Sequence, residues 1–288
     1  MVESSGTVQS ETFRETPATR VISAGYHDSE YLADLWRYRE LFYFLAWRDI
    51  LVRYKQTAVG LAWIIVKSAA TLTVLTVTFG TVAHLPADGV PYALLVYAAM
   101  LPWQFFASTL GDCGGSLVGS TELISKVYFP RLIIAGGTII VNLVDLMVAF
   151  AMLLVLYWWY GFAPDWRILT LPFLVVLVIV TALGPGLWFA ALTVKYRDFR
   201  YIVTFVLQLG LYISPVGFSS TVVPTQWALL YRLNPMVGVI EGFRWAILRG
   251  ADVDPLPGLA ASIAISASML ILGLRYFRRT ERLFADII

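Results

Sequence analysis

Ionisable residues are held out of long blocks of this chain. Charge-free intervals run over residues 89–111 (23 residues), 146–164 (19), 168–194 (27), 201–231 (31) and 255–274 (20). A bilayer core takes about 20 predominantly apolar residues in helical form, because backbone polar groups in lipid must find their hydrogen bonds within the protein. Repeated five times in one chain, such intervals specify an all-α polytopic membrane protein. Six transmembrane helices are predicted, at 59–83, 91–111, 132–160, 169–194, 201–218 and 256–276. The first absorbs Lys67 and the third absorbs Asp145.

The segments between the spans carry their own patterns. Residues 29–56 place Leu32, Leu35, Trp36, Phe42, Leu45 and Ile50 among Arg37, Arg39, Glu40, Arg48, Asp49 and Arg53. This predicts an amphipathic interface helix over 29–58, its aromatic side at the headgroups and its basic residues near anionic lipid. A helix packed on another cytosolic protein has the same pattern. Residues 113–131 open on three glycines; Ser120, Thr121 and Glu122 then offer N-cap chemistry for a short helix through Val127, which Pro130 closes. Residues 214–250 are too apolar for a solvated loop, yet Pro215, Pro224 and Pro235 break them. Two short helices, 224–233 and 235–249, dipping into the outer half of the bilayer as re-entrant gate helices reconcile those facts.

Composition adds direction. Hydrophobic residues make up 59% of the chain and charged residues 14%, against about 25% charged in a soluble domain. With the N-terminus inside, 16 Lys and Arg fall on the cytosolic side and 4 outside, with Lys67 within a span. Basic loops resist translocation, so both termini of a multi-pass protein are expected in the cytosol. Residues 1–28 are polar and lack an apolar core, which predicts a flexible cytosolic lead-in; residues 277–288 read as a cytosolic tail. The basic residues flank apolar blocks instead of forming a stripe, so no nucleic-acid partner is expected. One cysteine, Cys113, with His27 and His84 cannot supply a Cys/His metal site, and no metal is expected.

Transport needs an energy source. The chain contains no G-x-x-x-x-G-K-[ST] phosphate cradle and no Gly-Lys pair at all. Ion-driven carriers group ionisable residues near the midplane, and here the spans hold Lys67, Asp145 and, at the margin, Asp112. Lys67 lies about 12 Å into the first span, within reach of the inner surface by snorkelling. Asp145, with Asn142 one turn earlier, is expected to face protein and to pair, for instance with Lys67 or Arg244, with a proton relay as the alternative role. Tyr157, Trp158, Trp159 and Tyr160 read as an interfacial aromatic belt.

Several motifs then fall in a familiar order. The run Trp47-Arg48-Asp49-Ile50-Leu51-Val52-Arg53-Tyr54-Lys55-Gln56-Thr57, leading to Gly60-Leu61-Ala62-Trp63, resembles the approach to the first span in polysaccharide-exporting ABC-2 type permeases. Lys126-Val127-Tyr128-Phe129-Pro130-Arg131 is similar to that family's cytosolic segment before the third span. Lys195-Tyr196-Arg197-Asp198-Phe199-Arg200 is similar to its second inner loop, and Asn234-Pro235-Met236 with Glu241 and Arg244 to its last outer helix. The resemblance covers residues 30–275.

The resemblance implies a permease subunit, with no catalytic site of its own, for export of an O-antigen-like glycan on a lipid diphosphate. Its implied partners are a second copy of the chain, two copies of an ATPase subunit carrying ATP and Mg, membrane lipids and the lipid-linked glycan. Contact with the ATPase falls to Glu122, Ser125, Lys126, Tyr128, Arg131 and Arg197. Arg48, Arg53 and Lys55 would meet the lipid diphosphate, a role that positive-inside anchoring accounts for equally well. Trp63, Phe205 and Tyr212 would line the glycan path, and Asn234, Pro235, Glu241 and Arg244 the outer gate. The competing readings are an ion-coupled flippase of lipid-linked sugars and a membrane glycosyltransferase, although the acids Asp88, Asp165, Glu241, Asp252 and Asp254 scatter over different loops.

Overall fold

A computed structural model describes residues 34–55, 60–87, 89–127, 129–250 and 255–287, which hold helices and connectors and no β-strand. In chain order these are α1 (Arg39–Lys55), α2 (Gly60–Leu75) with a π-helical continuation (Thr76–Val82), α3 (Tyr92–Gly119), α4 (Thr121–Lys126) and α5 (Leu132–Tyr160). A 3₁₀ turn, Trp166–Thr170, leads into α6 (Leu171–Lys195), and α7 (Phe199–Ile213), α8 (Ala228–Arg232), α9 (Pro235–Ile247) and α10 (Leu256–Ile287) follow.

Among the described residues five helices are long and apolar enough to cross a membrane: Ala62–Val82, Tyr92–Gly119, Leu132–Tyr160, Trp166–Lys195 and Leu256–Glu281. The predicted fifth span, 201–218, is shorter than expected. α7 has 15 residues, roughly 22 Å of helix against a hydrocarbon core of about 30 Å. It stops because Ser214 precedes Pro215, and that position favours extended backbone; Ser214 has ψ 152°.

Three other boundaries differ from the sequence expectation. α3 continues eight residues past Gly111, through glycines expected to open a loop. Gly114 lies against Phe189 and Val203, and Gly186 of α6 against Cys113; close packing offsets the helical cost of glycine, about 1 kcal/mol each. α10 runs through the expected tail to Ile287, with Phe277 and Phe284 fully buried. Before α4, Ser120 makes no side-chain cap, and the Thr121 hydroxyl donates back to the Val118 carbonyl. The third span ends at Tyr160 as expected, closed by Gly161 in the left-handed region at φ 61°.

α3 is the axis of the bundle. Leu94 to Leu101 are at most 2% exposed, and a helix apolar all round is stable only when neighbours surround it. One core cluster joins α3, α5, α6 and α9; a second, at the α4 end, joins Leu45, Leu117, Ile124, Ile133, Leu187 and Phe284. α6 and α10 approach through glycine: a Cβ on Gly184 would lie 2.7 Å from the Met269 backbone, and Gly273 rests on the Gly184 carbonyl. The Thr181 and Ser266 hydroxyls bond at 2.7 Å in the same seam. Small residues with hydroxyl pairs are the usual means of helix association in lipid.

α2 and α7 are peripheral. Trp63, Val66 and Val74 of α2, and Tyr201, Phe205 and Tyr212 of α7, are exposed. Of the expected aromatic belt, Trp158 and Trp159 are exposed, whereas Tyr157 is core, its hydroxyl donating to the Ile247 carbonyl at 2.7 Å.

Gly184→Ala is expected to destabilise the protein by about 1–3 kcal/mol, since the added methyl must push two backbones apart. Gly115 has no heavy atom within 4 Å of an added Cβ, so Gly115→Ala is expected to be neutral or stabilising by up to about 1 kcal/mol. Thermal unfolding of the two purified variants in detergent checks the pair.

Candidate functional site

The last turn of α1 carries Arg53 and Tyr54 against α3 and α5. α5 presents Asn142 and Asp145, three apart and so on one face, and the extension of α3 past Gly111 presents Asp112. Arg53 donates to Asp112 at 2.8 Å, to Asp145 at 3.1 Å and to the Asn142 side-chain oxygen at 3.0 Å. The Asn142 amide donates to Asp112 at 3.1 Å, and the Tyr54 hydroxyl donates to Asp145. One guanidinium is thus shared by two carboxylates, a task its planar fork of donors suits and a lysine does not.

These groups are half-buried; the Asp145 side chain is 25% exposed and that of Asp112 37%. Burial and the hydrogen bond to Asp145 push the Tyr54 phenol up, so it stays protonated and donating at neutral pH. Burial alone would lower Arg53, but Asp112 and Asp145 outweigh it and raise it. Asp145 therefore does pair, with Arg53; Arg244, one of the partners considered for it, is used elsewhere.

Beside this cluster lies a cavity of about 780 Å³ between the end of α1, α2, α3 and α5, with Leu211 of α7 at its edge. Trp63, Lys67, Ser68 and Thr71 reach it from α2, and Trp103 and Gln104 from α3. The Ser68 hydroxyl donates to Gln104 at 3.2 Å. Arg53, Trp63, Lys67 and Asp145, singled out in the sequence for three different roles, thus line one space. Arg53, Lys67 and Asp145 are its charged lining residues, and Asp112, bonded to Arg53 outside the lining, supplies the second carboxylate. Amides, hydroxyls and indole rings suit the hydroxyls and C–H faces of a polar organic molecule. Among the described residues no group of three or more His, Cys, Asp and Glu could hold a metal ion.

The other candidates lie apart from it. Arg48 pairs with the adjacent Asp49 at 2.8 Å, and Lys55 is exposed at the end of α1. Phe205 and Tyr212 share the outward face of α7. On α4, Glu122 and Lys126 are 3.9 Å apart and project outward, and the Ser125 hydroxyl donates to the Glu122 carbonyl. Arg197 is exposed between α6 and α7, Arg131 contacts Glu281 of α10, and Tyr128 lies outside the described residues.

At the far end, Asn234 caps α9 by accepting from the Met236 N–H at 3.0 Å, and its amide donates to Ser214 at 2.9 Å. The Pro235 carbonyl accepts from Ser262 at 2.7 Å. Glu241 sets a carboxylate oxygen against Gly258 in the first turn of α10, where the helix dipole favours negative charge. Arg244, 9% exposed, donates to the carbonyls of Leu95 (3.2 Å), Phe218 (2.8 Å) and Val216 (3.3 Å). It thereby fixes the irregular segment after α7, whose carbonyls have no helix to serve them.

Tyr54 and the central place of Asp112 were missed from sequence. The available signal was Asn142 and Asp145 at helical spacing, with a further carboxylate at the edge of the neighbouring span.

Residues 40–248 match the family model of the ABC-2 type transporter. The O-antigen export system permease protein RfbA of Myxococcus xanthus is 26% identical over 259 residues, covering 88% of this chain and 98% of that protein. A Klebsiella pneumoniae protein of the same name is 22% identical over 245 residues, 84% of this chain and 92% of its own length. The polysialic acid transport protein KpsM of Escherichia coli is 23% identical over 238 residues, 81% of this chain and 91% of that one.

Arg53→Ala leaves two carboxylates without the guanidinium that bonds them both and is expected to cost about 1–3 kcal/mol, the pair being only half-buried. Adding Asp112→Asn and Asp145→Asn is expected to restore most of that loss, because the unpaired charge goes with its partner. Unfolding midpoints of the single and triple variants measure it; a triple variant less stable than Arg53→Ala would contradict the assignment.

Proposed function

The chain belongs to the ABC-2 type transporter family, and on that premise we propose that it is the membrane subunit of an ATP-driven exporter. Its cargo is a lipid-linked polysaccharide, O-antigen-like and carried on undecaprenyl diphosphate, moved from the cytosol across the bacterial inner membrane. The observation that carries this reading is similarity over nearly the full length of permeases named for two different surface glycans, O-antigen and polysialic acid. The relatives are transport permeases, which favours transport over a membrane glycosyltransferase. The sequence holds no phosphate cradle, consistent with ATP and Mg bound on a separate subunit, two copies of which serve two copies of this chain.

In this reading α7, extended by the segment after Ser214, is a fifth crossing of six. α8 and α9 dip into the outer half of the bilayer, and both termini are cytosolic, as the 16-to-4 bias of basic residues favours. α1 lies at the inner surface with Tyr43 and Trp47, whose rings stack at 6.5 Å, toward the headgroups.

The two copies meet across the outward faces of α2 and α7, and Trp63, Phe205 and Tyr212 line the path between them. Aromatic rings suit a glycan because they take the C–H faces of sugars without demanding one sequence. Arg48 and Lys55 stand nearest the arriving diphosphate, Arg53 being held by two carboxylates. α4 is the coupling helix. ATP closes the ATPase pair, α4 moves as a lever, and the paired α2 and α7 faces separate enough to admit the glycan.

Reversing the charges of Glu122, Lys126 and Arg131 together is expected to abolish co-purification of the ATPase with a permease that is still inserted. Pull-down of the ATPase on tagged permease from detergent-solubilised membranes measures it; undiminished recovery would contradict the coupling assignment.

A further inference from the structure

The last helix does not end where its apolar stretch does. Past Tyr276, α10 continues to Ile287 and turns Phe277 and Phe284 into the cluster that holds Ile124, the buried residue of α4. The two phenyl rings meet edge to face, with centroids 5.6 Å apart.

Where α5 begins, Arg131 donates twice to Glu281. The Arg131 backbone N–H donates to the Glu281 carboxylate at 2.7 Å, and the Arg131 guanidinium donates to the Glu281 carbonyl. Arg131 is the N-cap residue of α5 and has no local side-chain cap. Within one helix, the capping-box glutamate reaches back to that same N–H from the third position. Here a glutamate 150 residues away supplies it from another helix. The Arg131 guanidinium also sits 6.0 Å from the Phe284 ring centroid, at the limit of a cation–π contact.

We propose that Glu281 is a positioning residue of the coupling machinery. Through Arg131 it ties α4 and the start of α5 to the α6–α10 pair, so that force applied at α4 displaces α3, α5, α6 and α10 as one body. This rests on the exporter reading for its role, although the joint itself does not. The separation of function follows from the packing. α4 is already continuous with α3 and α5 through the chain, and Ile124 shares its cluster with Leu187 and Val194 of α6; the extension of α10 adds a direct polar tie from the start of α5 to the glycine-packed seam of α6 and α10. α2 and α7, exposed on their outer faces, are left to move relative to that block.

The test places spin labels at Ser125 and Arg279, both exposed; the native Cys113 is fully buried and stays unlabelled. In the chain alone, a narrow distance distribution is expected for the otherwise native sequence. Glu281→Ala should broaden it, and Glu281→Gln, whose amide oxygen still accepts from the Arg131 N–H, should restore it. In the complex with the ATPase, Glu281→Ala is expected to leave ATP hydrolysis in place and to lower glycan export per ATP by about tenfold, the scale of a typical coupling between sites.

An unchanged distribution in Glu281→Ala overturns the joint. A broadened distribution with unaltered export per ATP overturns its role in coupling. If Glu281→Ala does not insert, Glu281→Asp, one methylene shorter and so withdrawn from the Arg131 N–H, is expected to broaden the same distribution, and a native-like width overturns the joint. Failure of the native complex to export glycan defeats the exporter reading, and the distance measured in the chain alone still decides the joint.

Discussion

A guanidinium shared by two carboxylates is the interaction on which the rest of this molecule depends. Ionised groups within an apolar bundle are tolerated when they are paired and hydrogen-bonded. Arg53 supplies the charge, and Asn142 and Tyr54 complete the bonds around Asp112 and Asp145. The consequence is mechanical as much as electrostatic. Three elements far apart in sequence, α1, α3 and α5, meet where one guanidinium bridges two carboxylates, and α1 is held against the bundle by more than Leu45 and Ala46, its two buried residues. Beside the cluster remains a cavity whose walls are largely apolar, with a few hydroxyls and amides among them.

From that anchor the bundle divides into a dense part and a loose one. α3 is buried along most of one stretch, α6 and α10 touch through glycine, and α9 is packed between them with Arg244 serving three carbonyls of the neighbouring segments. Each of these contacts is short-range and would be lost by small displacements, so the elements they join move together. α2 and α7 carry broad apolar faces that no other described residue of a single copy covers. For the proposed exporter this division is useful: a stiff body receives force at α4, and the faces that would border the cargo belong to the helices least tied to it.

Much of this was legible in the sequence, for identifiable reasons. α5 was placed to the residue because Pro130 precedes it and Gly161, at positive φ, follows it. The paired helices around Asn234 were legible from their prolines. What failed was the reading of glycine and of charge as boundaries. Gly114, Gly115 and Gly119 look like a loop, yet all three lie within α3, the first in ordinary packing range of Phe189 and Val203. Arg275, Arg278 and Arg279 look like the end of a span, but Phe277 and Phe284 continue one buried face past them. At the candidate site, Asp145 was recognised as needing a partner. Its identity was not recoverable from local pattern, because Arg53 lies 92 residues away and reads equally well as an inner-surface anchor.

The account stands most directly on the division of labour between this chain, which has no phosphate cradle, and an ATPase on another. Inverted membrane vesicles loaded with lipid-linked glycan and containing this permease, with or without a P-loop ATPase encoded beside it, measure that division by the glycan that becomes protected in the lumen. The account predicts protection only when both proteins and hydrolysable ATP are present. Protection by this chain alone, driven by an ion gradient and indifferent to ATP, would contradict it.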